Sequence, residues 1–436
     1  MLALLNLSKS HHRRHPHRQT LTHWVIGIVS LALLLFIWIV RRLFFCCARS
    51  RRALIRRRAL PICIRGLPVC QHVAKVIITG DDVCGTCDVI VIRGADGTVR
   101  ALSNVCRHRG NRLLWEGTPR GESCGQARHF VCKYHGWRYA LDGACTYVHQ
   151  ESEFFDLRKE QLGLAPVRCA TWAGFVFVNL DREPRWTLRE YLGPMVGALE
   201  GYPFDRMTER YSFRAENASN WKVFIDAFQE YYHVPPLHTH QLGPTPEAQN
   251  PEYEFEAAHY QLDGPHRMVT TSGTHKHRWP LEHLYPSEAL TRSGTTGPWD
   301  APDLGEKLPG VNPSGIERWG IDNFQVFPNL EILIYERGWF VTYRYWPTSH
   351  NIHVFEGDLH FVPARSARER IAHEYAAITF KEYALQDAGT LDGTQMGLEQ
   401  RAFREFHLND QEILIRHFHK TVRDWVENHA LEKAES

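Results

Sequence analysis

Two short stretches decide how this chain must be read: Asn104-Val-Cys106-Arg-His108-Arg-Gly110 and Phe130-Val-Cys132-Lys-Tyr-His135-Gly136-Trp137. Each offers one thiol and one imidazole a single turn apart. Two Cys and two His make a donor set for tetrahedral zinc. They equally make the set for a two-iron cluster in which thiolates hold one iron and imidazoles the other. The detail favours the cluster, because each motif sits on its own loop and brings one ligand of each kind. Gly110 and Gly136 follow the histidines closely and let the backbone approach a bound group.

Working outward, residues 61–180 read as short strands with turns. Val89-Ile90-Val91-Ile92 is a compact apolar run, and Ala95-Asp96-Gly97-Thr98 carries the Asp-Gly signature of a hairpin turn. The 436 residues suggest two to three domains. With 43% hydrophobic and 23% charged residues, the composition supports a packed core and excludes general disorder. Lys plus Arg number 51 against 49 for Asp plus Glu, a balance that gives no case for nucleic-acid binding. Eleven Cys exclude a fully paired disulfide framework, and 26 His direct attention to metal chemistry. Cys84 and Cys87 form a CxxC in a strand–turn region and read as incidental, and Cys124 reads as a free surface thiol.

Charge is uneven at the N-terminus. Trp24 to Val40 carries no charge, and Arg41, Arg42, Arg49, Arg51, Arg52, Arg56, Arg57 and Arg58 follow without an acid. This predicts a transmembrane helix over 24–45 within a basic segment 1–60, with the bulk of the chain on the cytoplasmic side. The competing reading is a segment upstream of the true translation start, which leaves a soluble cytoplasmic protein.

A second constellation lies at Asn220-Trp221-Lys222-Val-Phe-Ile-Asp226-Ala-Phe-Gln-Glu230-Tyr-Tyr-His233-Val-Pro235-Pro236-Leu-His238. The stretch is helix-compatible up to His233, and the prolines are expected to stop it. Two imidazoles then lie on one side of a metal. A carboxylate from elsewhere would complete the 2-His-1-carboxylate triad of non-haem Fe(II) oxygenases. Ala376 to Ala388 reads as a helix leading towards Asp387, Asp392 and Gln395. His275, His277, His417 and His419 form H-x-H pairs that read as surface histidines. The Pro- and Gly-rich stretch Tyr285 to Gly315 reads as a substrate-entry loop or an unstructured one.

Taken together, Cys-x-His-Arg-Gly, Cys-x-Tyr-His-Gly-Trp and Gln395-Met-Gly-Leu398 resemble the Rieske non-haem iron oxygenases, specifically the catalytic alpha subunit of aromatic-ring hydroxylating systems. The resemblance covers about Ala95 to Val426. It implies a Rieske [2Fe–2S] cluster on Cys106, His108, Cys132 and His135, and a mononuclear Fe(II) on His233, His238 and Asp387. Asp387 is the match because it lies eight residues before Gln395, and Asp392 is the runner-up. The resemblance implies an α+β fold: an all-β Rieske domain over 61–180, then a helix-grip catalytic domain over 181–436, an antiparallel sheet around a long helix. Glu230 and Asn220 are its catalytic candidates. Glu230 would bridge the cluster of one subunit to the iron of the next in a head-to-tail homotrimer, with or without a β-subunit. Respiratory-chain Rieske proteins carry a further Cys in each motif, where Asn111 and Tyr134 stand here.

The activity implied is that of a terminal oxygenase. O2 and electrons from a separate NAD(P)H-dependent reductase, with or without a ferredoxin, would mono- or dihydroxylate a small apolar, aromatic substrate. No G-x-G-x-x-G follows a strand, which places nicotinamide chemistry on the partner. Two alternatives stay open: oxidative demethylation or hydroxylation of a methylated amine or steroid, and a membrane-tethered Rieske electron carrier with no second metal.

Overall fold

A computed structural model describes residues 62–66, 73–79, 86–94, 96–115, 124–125, 127–181, 183–238, 257–271, 308–316, 319–335 and 338–435. The expected membrane segment 24–45, Cys84, His275, His277 and most of the loop 285–315 lie outside them. No helix among the described residues is long and apolar enough to cross a membrane.

The N-terminal sheet contains β1 (Ile62–Gly66), β2 (Val73–Thr79), β3 (Thr86–Arg93), β4 (Val99–Ser103), β5 (Cys124–Gly125), and later β9 (Pro166–Trp172) and β10 (Phe175–Asn179). A small second sheet contains β6 (Phe130–Val131), β7 (Arg138–Tyr139) and β8 (Cys145–Tyr147). The larger sheet runs β1-β10-β9-β4-β3-β2-β5, and the smaller runs β6-β7-β8. The Val89–Ile92 run is buried throughout because β3 is an interior strand. Its alternate residues feed two cores. Ile90 and Ile92 pack with Cys106, Cys132, Trp137 and Tyr139, while Val89 and Val91 pack with Val176 and Val178. The expected turn joins β3 to β4: Gly97 takes φ 75°, and the Asp96 carboxylate accepts from the Thr98 N–H at 3.0 Å.

The C-terminal sheet is seven-stranded and antiparallel. Its strands are β11 (Glu209–Asn217), β12 (Ala257–Asp263), β13 (His266–Thr271), β14 (Ile321–Val326), β15 (Leu330–Tyr335), β16 (Trp339–Ser349) and β17 (Ile352–Phe361). They run in the order β11-β17-β16-β15-β14-β13-β12. The helices are α1 (Leu188–Gly197), α2 (Trp221–Ala227), α3 (Val234–Leu237), α4 (Ala367–Glu399) and α5 (Ile413–Glu435).

Helix α4 has 33 residues and is capped at its start by Ser366, whose side chain accepts from the Glu369 N–H. It buries Ala372, Ala376, Phe380, Ala384, Asp387, Leu391 and Gln395. Spaced three or four residues apart, that stripe faces the sheet, where Trp339, Tyr343, Phe355 and Phe361 share its core. The sequence predicts an end to this helix near Ala388. Gly389 and Gly393 each cost about 1 kcal/mol relative to Ala in a helix, but the buried stripe continues past them to Leu391 and Gln395 and carries the helix on.

The prolines do not end a helix at His233. Helix α2 ends at Ala227, and Pro235 and Pro236 fall in the first turn of α3, where a missing N–H is tolerated. A continued α2 would need the Phe228 carbonyl to accept from the N–H of residue 232. That carbonyl is taken instead by Asn323 Nδ2 at 2.6 Å.

Candidate metal centres

The two Cys/His loops are built alike. Cys106 N–H donates to Asn111 O at 2.8 Å and Gly110 N–H to Cys106 O at 3.0 Å. In the second loop Cys132 N–H donates to Trp137 O at 2.8 Å and Gly136 N–H to Cys132 O at 2.9 Å. Gly110 and Gly136 take φ 73° and 72°, a conformation costly for a residue with a Cβ. Each loop therefore presents its sulfur inward and its ring at the tip. Asn104, fully buried, braces the first loop. Its Oδ1 accepts from the N–H of Leu113 and Leu114, and its Nδ2 donates to Leu114 O.

Cys106 and Cys132 are buried, and His108 Nδ1 lies 3.1 Å from His135 Nδ1. Trp137 stacks on the His108 ring at 4.9 Å and 7°. Two sulfurs in the core and two ring nitrogens converging at the surface fit a two-iron cluster with its His-bound iron outermost. The sulfurs also receive hydrogen bonds. Tyr139 hydroxyl lies 3.2 Å from Cys106 Sγ and accepts from the Arg107 N–H. Asn111 Nδ2 donates to Cys132 Sγ at 3.6 Å. Burial pushes the Cys106 thiol up. At Cys132 burial is outweighed by the N–H groups of Tyr134 and His135 and by the Asn111 amide, which hold its thiol below the ordinary value.

The second constellation assembles from two helices. His233 and His238 flank the one-turn helix α3, and Asp387 enters from α4. Asp387 Oδ1 lies 3.5 Å from His233 Nε2 and 3.3 Å from His238 Nε2. The three residues offer ligand atoms all within 4.8 Å of one another. Donors about 2.1 Å from a common ion fall in this range. Asp392 sits on the exposed side of α4.

Each imidazole is anchored through its other nitrogen. His233 Nδ1 donates to Glu230 Oε1 at 2.6 Å, and the His233 N–H donates to Glu230 Oε2 at 3.0 Å. His238 Nδ1 donates to Gln386 Oε1 at 2.6 Å. Both rings so held carry their proton on Nδ1 and turn the Nε2 lone pair towards Asp387. Burial alone would lower the affinity of His233 for a proton, but Glu230 and Asp387 outweigh it and raise it. Asp387 is 1% exposed, and neither of its oxygens has a hydrogen-bond partner. A buried carboxylate facing two lone pairs is costly unless a cation sits between them. On that observation the residues fit a divalent metal.

Gln386 was not singled out in the sequence, where its only signal is adjacency to Asp387. Asn220 is not among the clustered metal donors. It caps α2, accepting from the Lys222 N–H at 3.1 Å, and its own N–H donates to Gln395 Oε1 at 2.8 Å. Gln395 thereby ties α4 to the start of α2. Among the H-x-H histidines, His417 Nε2 bonds Gly264 O and His419 Nε2 bonds Asp226.

Beside the triad lies a cavity of about 100 Å³. Phe228, Tyr231, Tyr335, Tyr343, Phe380 and Tyr383 line it with His233, His238 and Asp387, and no Lys or Arg is among its described lining residues.

Residues 204–428 match the family described as ring hydroxylating alpha subunit (catalytic domain), and residues 69–166 match the Rieske [2Fe-2S] domain. The chain is 29% identical over 231 residues to the chloroplastic choline monooxygenase of Atriplex hortensis, which is 49% of this chain and 48% of the relative. It is 35% identical over 156 residues to the glycine betaine monooxygenase oxygenase subunit of Chromohalobacter salexigens, 36% of this chain and 33% of the relative. The matched stretch thus spans half or less of the length of these relatives. A solved quaternary ammonium Rieske monooxygenase superposes with TM-score 0.61 at 17% identity, over 84% of this chain and 88% of that one. Naphthalene 1,2-dioxygenase superposes with TM-score 0.56 at 22% identity, over 83% and 77%. These superpositions establish a shared fold.

Proposed function

The chain belongs to the ring-hydroxylating alpha-subunit family and carries a Rieske domain, and from that premise we propose that it is the terminal component of an oxygenase acting on a methylated, cationic amine. The observation that carries the substrate class is the cavity beside the triad. Six aromatic rings line it, and a ring face attracts a desolvated cation by about 2 kcal/mol or more. No cationic side chain among the described lining residues opposes that charge. Its volume of about 100 Å³ falls short of the ~150 Å³ of a cavity that accommodates a single benzene ring. A fused-ring arene exceeds it by more than a trimethylammonium head, whose bulk is close to that of one benzene ring. The similarity to choline and glycine betaine monooxygenases points the same way. The aromatic substrate expected from the sequence gives way to its methylated-amine alternative. The electron-carrier alternative leaves both buried Asp387 oxygens with neither a hydrogen bond nor a metal, so it is not favoured.

When bound, iron at the triad supplies a site for O2, and the cluster supplies electrons from a separate reductase. The protein's own part is orientation and exclusion. Glu230 and Gln386 fix both imidazoles with Nε2 free. The carboxylate of Asp387 balances part of the metal's charge. The aromatic walls keep bulk water from the reacting carbon and hold the ammonium head by its faces. In this proposal Glu230, hydrogen-bonded to His233, is also the link to the cluster of a neighbouring subunit in a trimer.

The test is a single turnover of the chemically reduced, iron-loaded protein with O2, using choline, glycine betaine, carnitine and naphthalene in turn. Mass spectrometry of the products reads the outcome. An oxygenated or demethylated product from one of the amines, and none from naphthalene, is expected. A naphthalene diol with no amine product would overturn the substrate class.

A further inference from the structure

We propose that a chain of aromatic rings from His238 to Tyr211 drains oxidising equivalents left at the metal centre when no substrate takes them; this rests on the oxygenase reading above. The chain is continuous. Tyr383 stands edge-on to His238, centroids 4.9 Å apart. Phe380 lies 5.7 Å from Tyr383 and 4.9 Å from Trp339. Trp339 stacks on Phe361 at 5.4 Å, and Phe361 lies 5.8 Å from Tyr211 on β11, an edge strand of the sheet. Tyr335, which lines the cavity, stacks on Trp339 at 3.9 Å and 14°. The path leads from the cavity through the core and out at one margin of the sheet.

Its polarity comes from hydrogen bonding. Indole gives up an electron without first losing its proton, whereas an oxidised phenol must release one. Trp339 Nε1 is buried with no partner, so a hole there stays mobile. Tyr211 is partly exposed, and its hydroxyl donates to Glu209 Oε1 at 2.8 Å. A carboxylate acceptor lets Tyr211 lose electron and proton together and traps the hole at the end of the chain.

The balance closes at every step. An electron passes from Trp339 to the oxidised site, and one from Tyr211 refills Trp339 across Phe361. The Tyr211 proton moves to Glu209, leaving a neutral phenoxyl radical. A small soluble reductant of the thiol or ascorbate class returns the electron, and Glu209 returns the proton.

The experiment mixes the full-length, iron- and cluster-loaded protein with hydrogen peroxide in the absence of substrate. Samples are frozen for electron paramagnetic resonance, and parallel samples are mapped for oxidised side chains. A tyrosyl radical is expected, narrowed by ring-deuterated tyrosine and lost in Tyr211→Phe. Trp339→Phe keeps the ring and removes the oxidisable indole. It should lose the Tyr211 radical and move oxidation marks to Tyr335, Tyr383 and His238. Tyr211 is partly exposed on an edge strand, so Tyr211→Phe remains interpretable if the core variant fails to fold. Amine turnover by Tyr211→Phe should equal that of wild type. A Tyr211 radical that persists in Trp339→Phe, or marks identical in wild type and Tyr211→Phe, overturns the proposal. Peroxide that oxidises no residue, together with no oxygenated product from any amine or from naphthalene, overturns the oxygenase reading and the proposal with it. Amine turnover without a Tyr211 radical overturns the proposal alone.

Discussion

Replacing Gln386 by Leu should weaken metal binding at the triad without touching a ligand. Gln386 Oε1 is the acceptor for His238 Nδ1 at 2.6 Å, and His238 is only 4% exposed. Leucine fills similar space and accepts nothing. Two consequences separate. The orphaned N–H costs about 1–3 kcal/mol of stability, because it is buried away from water. Nε2 loses both basicity and a fixed ring plane, and outer partners of this kind are typically worth 10- to 100-fold in metal affinity, roughly 1.4–2.7 kcal/mol. Gln386→Glu keeps an acceptor in place, so it should bind metal at least as tightly as wild type. The assay is competition for Co(II) or Fe(II) against a chelator of known affinity, with thermal melts of the metal-free proteins alongside. A melt lowered in Gln386→Leu with an unchanged dissociation constant would refute the reasoning, because the bond would then serve only the fold.

Four further outcomes follow from the same geometry. Asp387→Leu should abolish mononuclear iron while leaving the cluster intact; the metal-free variant should melt no lower than wild type, because it buries no unpaired charge. Asn104→Ala removes three hydrogen bonds to the first cluster loop and should cost about 1–3 kcal/mol, read by denaturant midpoint and loss of cluster absorbance. Tyr139→Phe removes the hydroxyl beside Cys106 Sγ and should shift the cluster potential downward in a spectroelectrochemical titration. For pH, burial lowers His266 and His360 to about 4 from an ordinary 6.5. The unfolded chain takes these protons below pH 6.5 and the folded chain refuses them. Stability is therefore full above 6.5 and is lost as pH falls towards 4, by about 3 kcal/mol per histidine at most. Urea midpoints of the metal-free protein should fall over that window, and less steeply in His360→Leu.

The parts legible in the sequence are those that local spacing controls. The Cys/His loops are short enough that ligand types and glycines encode the turn, and both adopt the same hydrogen-bond pattern. His233 and His238 were visible because the prolines between them limit the backbone, although the sequence misplaced the helix end. That end depends on Asn323, nearly a hundred residues away, capturing the Phe228 carbonyl. The register of Asp387 with Gln395 has a physical basis. Both lie on the buried stripe of α4, and Gln395 reaches the backbone of Asn220 at the start of α2. Gln386 and the aromatic walls were not legible, since the rings come from strands and helices far apart in the chain. Nothing in the spacing of Tyr335, Tyr343, Phe380 and Tyr383 marks them as neighbours of one cavity. The length of α4 was also hidden, because its glycines mask a stripe that only the sheet opposite makes favourable.

Iron and acid-labile sulfide per chain, counted on anaerobically prepared wild type and on Asp387→Leu, test the two-centre account most directly. About three irons and two sulfides in wild type, falling to two and two in the variant, is the result expected from a [2Fe–2S] cluster beside a mononuclear site. Two irons and two sulfides in both, unchanged after Fe(II) is added back, would contradict it.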